Sequence, residues 1–272
     1  MVEKKRILIV EGNTREENNE FTQVGINTHT ESLIKSIDFY KKNLEIDIAN
    51  PSSDQNLTSS IESLDKYDGL IWGGSSLNIY NDTDEIRRQI NFMRECQNKI
   101  KKILAICWGL QVAVTVAGGI VSKSSKGAHR GIAHNIKINE EGTKHPIYLN
   151  KKSKFNTPAF NFDEVIKIPN KAILLSSNDL NNVMGLQFNT NTSDIWGIQY
   201  HPEITYEKMI SLIHFRKERL INKGAFRDQE EINTHVEMIE KEIKTSEKIS
   251  RMKELENWLN YLYDDTEQRR YN

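Results

Sequence analysis

The sequence predicts an α/β fold with a central, mostly parallel sheet flanked by helices. Short apolar runs of strand length occur at 6–10, 67–72 and 103–106, and apolar residues at helical spacing lie between them. The first two runs are followed by glycine-containing turns, and the third leads straight into a helical pattern. This repeated order of strand, loop and helix is typical of parallel strands joined by helical crossovers.

The elements between these strands follow from capping and periodicity. Thr28 and Glu31 have the spacing of a capping box, which predicts the start of a helix. Apolar and charged residues alternate over 44–48, which predicts a strand with one exposed face. Acidic residues open the segment 82–98, whose apolar residues share one helical face, and this predicts a helix before the strand at 103–106.

The second half of the chain predicts antiparallel additions to the sheet. Short strand-like runs follow one another closely from residue 134, and several are joined by turn-rich stretches. The runs are 135–138, 164–168, 172–175, 183–188 and 195–199. A helix is expected over 206–222, with Gly224 ending it.

The C-terminal part is charged and lacks strand patterns, so we divide the chain into a domain at 1–222 and a helical extension at 223–272. Two helices are expected in the extension, each with one apolar face. The first face is Ile232, Val236, Ile239 and Ile243, and the second is Met252, Leu255, Leu259 and Leu262 with Trp258 beside it. Such faces pack either on the domain or on a second copy of it, as in a homodimer.

Composition excludes several classes of partner. The formal net charge of −1 gives no global field for nucleic acid or an acidic membrane surface. The chain has only two cysteines, Cys96 and Cys107, which argues against a secreted disulfide scaffold. The N-terminal apolar run is too short for a signal peptide, and no stretch is long enough to span a bilayer. We therefore expect a soluble, cytoplasmic protein.

Cys107 is the candidate nucleophile. The apolar strand 103–106 meets this cysteine, and a helical pattern begins at once with Val112 and Val116. A nucleophile on such a strand-to-helix turn sits exposed above a sheet, and small residues are needed around it because the turn is cramped. Free N–H groups at the start of the helix favour the thiolate, which is the nucleophilic form.

A proton carrier for this sulfur is expected at His201. It follows the predicted strand 195–199, and Glu203 comes two positions later, on the same side of an extended segment. A carboxylate there would hold the imidazole in one tautomer and stabilise its charged form, while Pro202 stiffens the link. Gly73 and Gly74 end the strand expected beside Cys107, where backbone N–H groups could approach a substrate carbonyl.

The segments Ile-Cys-Trp-Gly-Leu-Gln at 106–111 and Tyr-His-Pro-Glu at 200–203, with the upstream Gly-Gly, resemble class I glutamine amidotransferases. The resemblance is strongest to stand-alone proteins similar to the amidotransferase domain of GMP synthase, and it covers residues 5–222. It implies a flavodoxin-like fold with Cys107 as nucleophile, His201 as general base and acid, and Glu203 as the orienting carboxylate.

The resemblance also assigns a substrate pocket and a reaction. Gly74 and Trp108 would donate to the oxyanion, and Gln111 would contact the substrate. Members of the family attack the side-chain amide of glutamine, release ammonia and hydrolyse a glutamyl thioester, without a cofactor. The ammonia usually passes to a synthase domain or subunit. This sequence has no phosphate-binding glycine loop, so an acceptor reaction would require another polypeptide.

Two departures from the family pattern bear on the substrate. Ala105 replaces the usual glycine before the cysteine, and its small side chain should be tolerated. The stretch expected to hold glutamine, an aromatic residue followed by His-Gly-Asp or Ser-His, corresponds here to 160–163, with Asn161 and Phe162 at its centre. A bulky Phe162 where backbone should approach the ligand bears on glutamine as the substrate but not on amide cleavage, and it favours as an alternative a γ-glutamyl hydrolase acting on a peptide or amine. A non-catalytic binding module on the same fold is a further alternative, which the intact Cys107, His201 and Glu203 argue against.

The remaining reactive residues have simpler interpretations. Cys96 lies within a predicted helix and is interpreted as a buried hydrophobic residue. The histidines other than His201 show no metal-ligand spacing, so no metal site is expected. These are His29, His129, His134, His145, His214 and His235. A basic loop is predicted after the nucleophile helix, solvated or attracting an anionic group, and it contains Lys123, Lys126, His129 and Arg130.

Overall fold

The computed structural model describes residues 3–54 and 61–264, which form thirteen strands. In chain order these are β1 (Lys5–Val10), β2 (Leu44–Ala49), β3 (Gly69–Trp72), β4 (Lys102–Ile106), β5 (Ile120–Lys123), β6 (His129–Arg130), β7 (Ala133–Ile138), β8 (Lys154–Thr157), β9 (Phe160–Asn161), β10 (Asp163–Lys167), β11 (Ile173–Ser177), β12 (Gly185–Asn189) and β13 (Asp194–Ile198).

The helices that lie within these ranges alternate with the strands in the first half of the chain and cluster at its end. They are α1 (Arg15–Gln23), α2 (His29–Phe39), α3 (Asp84–Lys99), α4 (Trp108–Val116), α5 (Glu140–Lys144), α6 (Tyr206–Phe215), α7 (Lys217–Asn222), α8 (Gln229–Ile243), α9 (Lys248–Arg251) and α10 (Lys253–Leu262). The capping box predicted at Thr28 and Glu31 is confirmed at the start of α2.

One sheet of nine strands has the order β2-β1-β3-β4-β13-β12-β11-β7-β8. The first five strands in this order, β2, β1, β3, β4 and β13, are parallel to one another. The remaining four, β12, β11, β7 and β8, are each antiparallel to their neighbours. The predicted fold class is therefore confirmed. The register of β4 with β13 pairs Ala105 with Gly197 and Ile106 with Ile198. The carboxyl ends of the two strands thus meet at one edge, which brings residue 107 beside residue 199.

Helices cover both faces of this sheet with apolar side chains. On one face, α3 and α4 bury Phe92, Met93 and Trp108 against the strands. On the other face, α2 and α10 contribute Leu33 and Trp258 to a second core. Burying each large apolar side chain contributes roughly 1.5–3 kcal/mol, so these two layers hold the sheet between them and fix its edges.

Several features of the chain differ from the sequence prediction. Within the described residues, the C-terminal extension has three helices, α8, α9 and α10, where two were expected. The helix expected over 206–222 is divided into α6 and α7 at Arg216, although Gly224 follows with the expected positive φ of 69°. Helix α1 was not predicted, because Phe21 is its one buried residue and leaves almost no apolar periodicity to detect. The predicted basic loop is wrong in part, because β5 and β6 lie within it.

The C-terminal helices pack on the chain's own domain. Helix α8 buries Ile232 and Ile239 in a cluster with Ile213 of α6, and α10 buries Trp258 against the sheet. Gly69 of β3 makes room for this contact, because a Cβ there would lie 2.7 Å from Leu262 Cδ1. Among the described residues, no helix is both long and apolar enough to cross a membrane.

Candidate active site

Cys107 lies on a strained turn between β4 and α4. Its φ of 52° and ψ of −102° fall outside the usual regions for a residue with a side chain, which costs of order 1–3 kcal/mol and is common at functional sites. The Cys107 N–H donates to the Ile198 carbonyl at 2.7 Å. A Cβ on Gly109 would lie 2.5 Å from the Trp72 carbonyl oxygen, so the turn requires glycine there. The strand-to-helix turn predicted around the cysteine is present.

His201 and Glu203 form a buried pair, with the Nδ1 of His201 and the Oε1 of Glu203 2.7 Å apart. Burial lowers the pKa of His201, but the charges of Glu203 and Cys107 outweigh it and raise the pKa to about 10. The sequence analysis paired His201 with Glu203 correctly, but it expected an extended segment there. Residues 201–203 form a turn, with the Ile204 N–H donating to the His201 carbonyl at 3.4 Å, because Pro202 follows the end of β13.

The two glycines after β3 differ in what they can do. The Gly73 N–H already donates to the Val10 carbonyl at 3.1 Å, so it is not available to an oxyanion, contrary to its grouping with the substrate-binding residues. Within the described part of the chain, the N–H groups of Gly74 and Trp108 have no hydrogen-bond acceptor. A Cβ on Gly74 would lie 2.8 Å from the Cε1 of His201, which places this glycine directly against the imidazole.

Two neighbours of the site were missed by the sequence reasoning. Gln199 is buried, and its Nε2 donates to Cys107 Sγ at 3.5 Å while its Oε1 accepts from Gln111 at 3.4 Å. The alternation that paired 201 with 203 could also have placed residue 199 on that side. His29 stacks on His201 with ring centroids 5.3 Å apart, and no signal in the sequence indicated this. Burial holds the pKa of His29 well below its usual value, so its ring is neutral.

A cavity of about 380 Å³ opens beside the sulfur. Cys107, Trp108, Gln111, Asn161 and Phe162 line it, so the structure brings these predicted residues together. Neither His201 nor Glu203 is among the described residues that line this cavity. Tyr80, Asp163 and Arg216 also line it, together with the cationic side chains of Lys123, Arg219 and Lys223.

Asn161 borders the cavity but has its own partners. Its Oδ1 lies 2.9 Å from the Nδ1 of His129, and its Nδ2 donates to the Asp163 carbonyl at 2.9 Å. Asn178 Nδ2 lies 2.9 Å from the other ring nitrogen of His129, which therefore accepts there and donates to Asn161. Burial lowers the pKa of His129, in agreement with a neutral ring. His129 is thus a buried structural residue and not part of a solvated basic loop.

A metal ion could be considered at one group of side chains in the described residues. His29, His201 and Glu203 each offer a donor atom within 4.8 Å of the others. However, the 2.7 Å between His201 and Glu203 is a proton-sharing distance, shorter than the roughly 3.3 Å that separates two ligands on a tetrahedral zinc ion. The arrangement is suited to holding a proton on the imidazole. Cys96 is buried, and burial raises the pKa of its thiol.

Comparison with known proteins identifies the family of the chain. The family model for class I glutamine amidotransferases matches residues 27–217. A γ-glutamyl-L-1-hydroxyisopropylamide hydrolase from a Pseudomonas species is 30% identical over 87% of this chain and 79% of its own length. A glutamine-hydrolysing GMP synthase subunit from Sulfurisphaera tokodaii is 29% identical over 54% of this chain and 72% of its own length. The chain also matches γ-glutamyl peptidases from Arabidopsis thaliana and spans 61% and 60% of the length of two of them.

A solved structure supports the fold independently of close sequence similarity. A glutamine amidotransferase from Thermotoga maritima superposes with a TM-score of 0.65 over 96% of this chain and 99% of its own, at 16% identity. The fold, the turn at residue 107 and the sequence relatives therefore point to the same family of enzymes.

Proposed function

We propose that this chain, which belongs to the class I glutamine amidotransferase family, hydrolyses the γ-amide of glutamine or of a glutamine-like compound through a thioester at Cys107. Members of the family and the relatives named above are enzymes that act on amide bonds. In this proposal Cys107 is the nucleophile, His201 carries the proton and Glu203 orients and charges the imidazole. Gly74 and Trp108 supply the N–H groups that stabilise the oxyanion.

The first half of the reaction forms the thioester. The Cys107 thiolate attacks the amide carbonyl carbon, a C–S bond forms, and the carbonyl oxygen becomes an oxyanion facing the N–H groups of Gly74 and Trp108. When this intermediate collapses, the C–N bond breaks. The imidazolium of His201 gives its proton to the departing nitrogen, which leaves as ammonia or as an amine.

The second half restores the enzyme. Water attacks the thioester carbonyl, and the neutral His201 takes a proton from it. The C–S bond then breaks, which returns the sulfur as a thiolate beside an imidazolium and releases a γ-carboxylic acid. The acid gives the second proton of the water to solvent and leaves as a carboxylate. Gln199 donates to the sulfur at 3.5 Å and would hold it in place in both halves.

The buried pair of His201 with Glu203, 2.7 Å apart and beside Cys107, is the observation that carries this proposal. An imidazole buried without partners would lose its proton easily, yet the pKa of His201 is raised to about 10 by Glu203 and Cys107. A protonated imidazole beside a cysteine on a strained turn is the resting state that thioester formation requires. A binding module would have no need to maintain this costly arrangement.

A second candidate substrate is a γ-glutamyl amide whose amine is larger than ammonia. Two observations favour it. The cavity has a volume within the range of pockets for drug-sized ligands, and Phe162 lines it where the family usually has a glycine. The Pseudomonas relative is named for the hydrolysis of such an amide. If glutamine is the substrate instead, the released ammonia would go to solution or to a separate synthase subunit.

Covalent labelling tests the proposal. Incubation with 6-diazo-5-oxo-norleucine, a glutamine-derived electrophile, should add its carbon skeleton to Cys107, read by mass spectrometry of peptides. Cys107→Ala should remove the label and lower turnover of glutamine and γ-glutamyl amides by at least about 10⁴-fold. Cys96→Ala is the matched control, because Cys96 is buried in α3 away from the cavity, and it should keep both label and turnover. Equal turnover by Cys107→Ala and wild type would refute the assignment.

A further inference from the structure

We propose that Lys123, Arg219 and Lys223 form a carboxylate-binding subsite that selects γ-glutamyl compounds whose departing amine is itself an acid, such as an amino acid. The inference rests on the proposed function and concerns the substrate of the same site. The three cations come from two segments far apart in the chain and line the cavity that Cys107 also lines. Lys123 ends β5, Arg219 lies in α7, and Lys223 follows α7 directly.

These three side chains make no direct ion pair in the described structure. No hydrogen bond or ion pair within the described ranges involves the guanidinium of Arg219 or the ammonium groups of Lys123 and Lys223. Arg216, the fourth cation that lines the cavity, is different because it pairs with Glu17 of α1. Glu17 and Asp163 also act on Arg219 and Lys223 electrostatically, but neither is in contact with them, so the three cations remain available to a bound anion.

The anionic side of the cavity cannot balance them. Among the described residues that line it, Asp163 is the one carboxylate, and its two oxygens accept hydrogen bonds from Asn78 at 2.7 Å and Tyr80 at 3.0 Å. The pKa of Lys223 is lowered by partial burial and by the charge of Arg219, with smaller contributions from Arg216 and Lys123, although Asp163 opposes them. The cations thus repel one another, and a bound anion would relieve this repulsion.

The charges of the substrate decide which anion fits. Free glutamine carries one ammonium and one carboxylate, so it matches Asp163 and one cation. A γ-glutamyl amino acid carries one ammonium and two carboxylates. Its second carboxylate can pair with a cation that has no partner when glutamine is bound. Carboxylates pair well with arginine and lysine, and an unbalanced cluster of this kind contributes more to specificity than to fold stability.

The shape of the cavity assigns the second carboxylate to the departing amine. A second cavity of about 380 Å³ shares Lys123, Phe162 and Lys223 with the first and extends away from the sulfur. Lys126 and Arg130 also line it, and among its described lining residues none is acidic. The glutamyl part has a fixed size and must reach Cys107. Only the variable amine can extend past Phe162 into this basic space.

A pair of substrates that differ in one group tests the subsite. γ-L-glutamyl-L-alanine and γ-L-glutamyl-L-alaninol differ only by a carboxylate in place of a hydroxymethyl group. Wild-type enzyme should have a kcat/KM about tenfold higher for the acid at low ionic strength. This preference should decrease as salt is added, because the cations are exposed to solvent.

Substitution of the cations should remove this preference. The Arg219→Met/Lys223→Met variant should reduce the ratio of the two kcat/KM values to about one, and Lys223→Met alone should reduce it about threefold if the double variant does not fold. Lys217→Met is the matched control, since Lys217 is an exposed cation of α7 that does not line the cavity, and it should keep the wild-type ratio.

The outcomes separate this inference from the proposed function. Equal turnover of both substrates by wild type, or a preference that survives the double substitution, overturns the subsite and leaves the thioester chemistry intact. A wild-type enzyme that cleaves neither compound nor glutamine refutes the proposed function and the subsite with it. A preference for the acid that only the cavity substitutions remove supports both.

Discussion

The cysteine and the histidine of the candidate site are held in different ways. Cys107 is fixed by residues of the sheet and its immediate neighbours, through the Ile198 carbonyl and through Gly109, which contacts the backbone of β3. His201 lies on a turn whose partners come from distant parts of the chain. The His201 N–H donates to the Pro158 carbonyl at 2.8 Å, and Ser36 Oγ donates to the Glu203 carbonyl at 3.2 Å.

The C-terminal helices complete the support of the histidine turn. Arg251 of α9 donates to the carbonyls of Pro202 and Ile204, the latter at 2.8 Å. Tyr200 donates its hydroxyl to Glu254 of α10 at 2.6 Å, and Glu254 also pairs with buried Lys151 at 2.9 Å. Cys107 is thus positioned by the fold of the sheet, whereas His201 depends on a segment about fifty residues later in the chain. Substitutions should therefore act differently on the two.

The largest expected effect is on the charge of the histidine. Glu203→Gln keeps the shape of the pair but removes the carboxylate charge that raises the pKa of His201. Because an opposite charge favours the imidazolium, its removal lowers the pKa from about 10, and His201 loses its proton at lower pH. We expect kcat to fall by roughly 10²–10⁴-fold and the alkaline limb of the pH profile of kcat/KM to move to lower pH.

The control for this variant is Glu207→Gln, which removes an exposed carboxylate at the start of α6 and should leave the pH profile in place. If the alkaline limb of Glu203→Gln stayed at its wild-type position, Glu203 would not be the group that charges His201.

An intermediate effect is expected at Gly74, which lies against the imidazole of His201. In Gly74→Ala the new Cβ would lie 2.8 Å from a ring carbon of both His201 and His29, so both rings must move. A displacement of about 1 Å can cost about 10²-fold in rate, and we expect kcat to fall by about 10- to 100-fold with a small change in Tm. Gly73→Ala is the matched comparison, because its nearest atom would be 3.5 Å away, and its loss should be several-fold at most. Equal losses in the two variants would contradict the placement of Gly74.

The smallest expected effect on activity tests how far Arg251 of α9 supports the turn that carries His201. Arg251→Met leaves the carbonyls of Pro202 and Ile204 without their donor in a buried region. The free energy of unfolding should decrease by about 1–3 kcal/mol, measured by denaturant titration, and kcat should fall by about three- to tenfold. Lys253→Met, which breaks only a pair with Glu256 one turn away, serves as the control. A wild-type kcat in Arg251→Met would show that the histidine turn holds its geometry without α9.

Particular elements show what could be predicted from the sequence. The strand ending at Ile106, the cysteine and the helix start at Trp108 are consecutive, so local patterns were sufficient to predict the turn. The capping box of α2 and the pairing of His201 with Glu203 are also local and were predicted. Helix α1, the stacking of His29 on His201 and the division of α6 from α7 depend on contacts between distant segments, which leave no periodic signal in a single sequence.

The residues that line the cavity show more clearly what could not be predicted from the sequence. The sequence indicated Asn161 and Phe162 as substrate contacts because of their position in a family motif. Only the packing of β6 against β9 shows that the Asn161 amide is occupied by His129. Likewise, the sequence indicated Lys123 as part of a basic loop but gave no reason to group it with Arg219 and Lys223, and the fold brings all three to one cavity.

The sequence by itself determined the fold class and the family and indicated the candidate site residues, because each depends on short-range periodicity or on consecutive motif residues. The tertiary structure decided which backbone N–H groups have no acceptor, which charged side chains act on His201 and which cations line the cavity beside Cys107. These properties depend on distances of a few ångströms between segments far apart in the chain. Such distances are set by how the sheet and its two helical layers pack, and no local pattern records them.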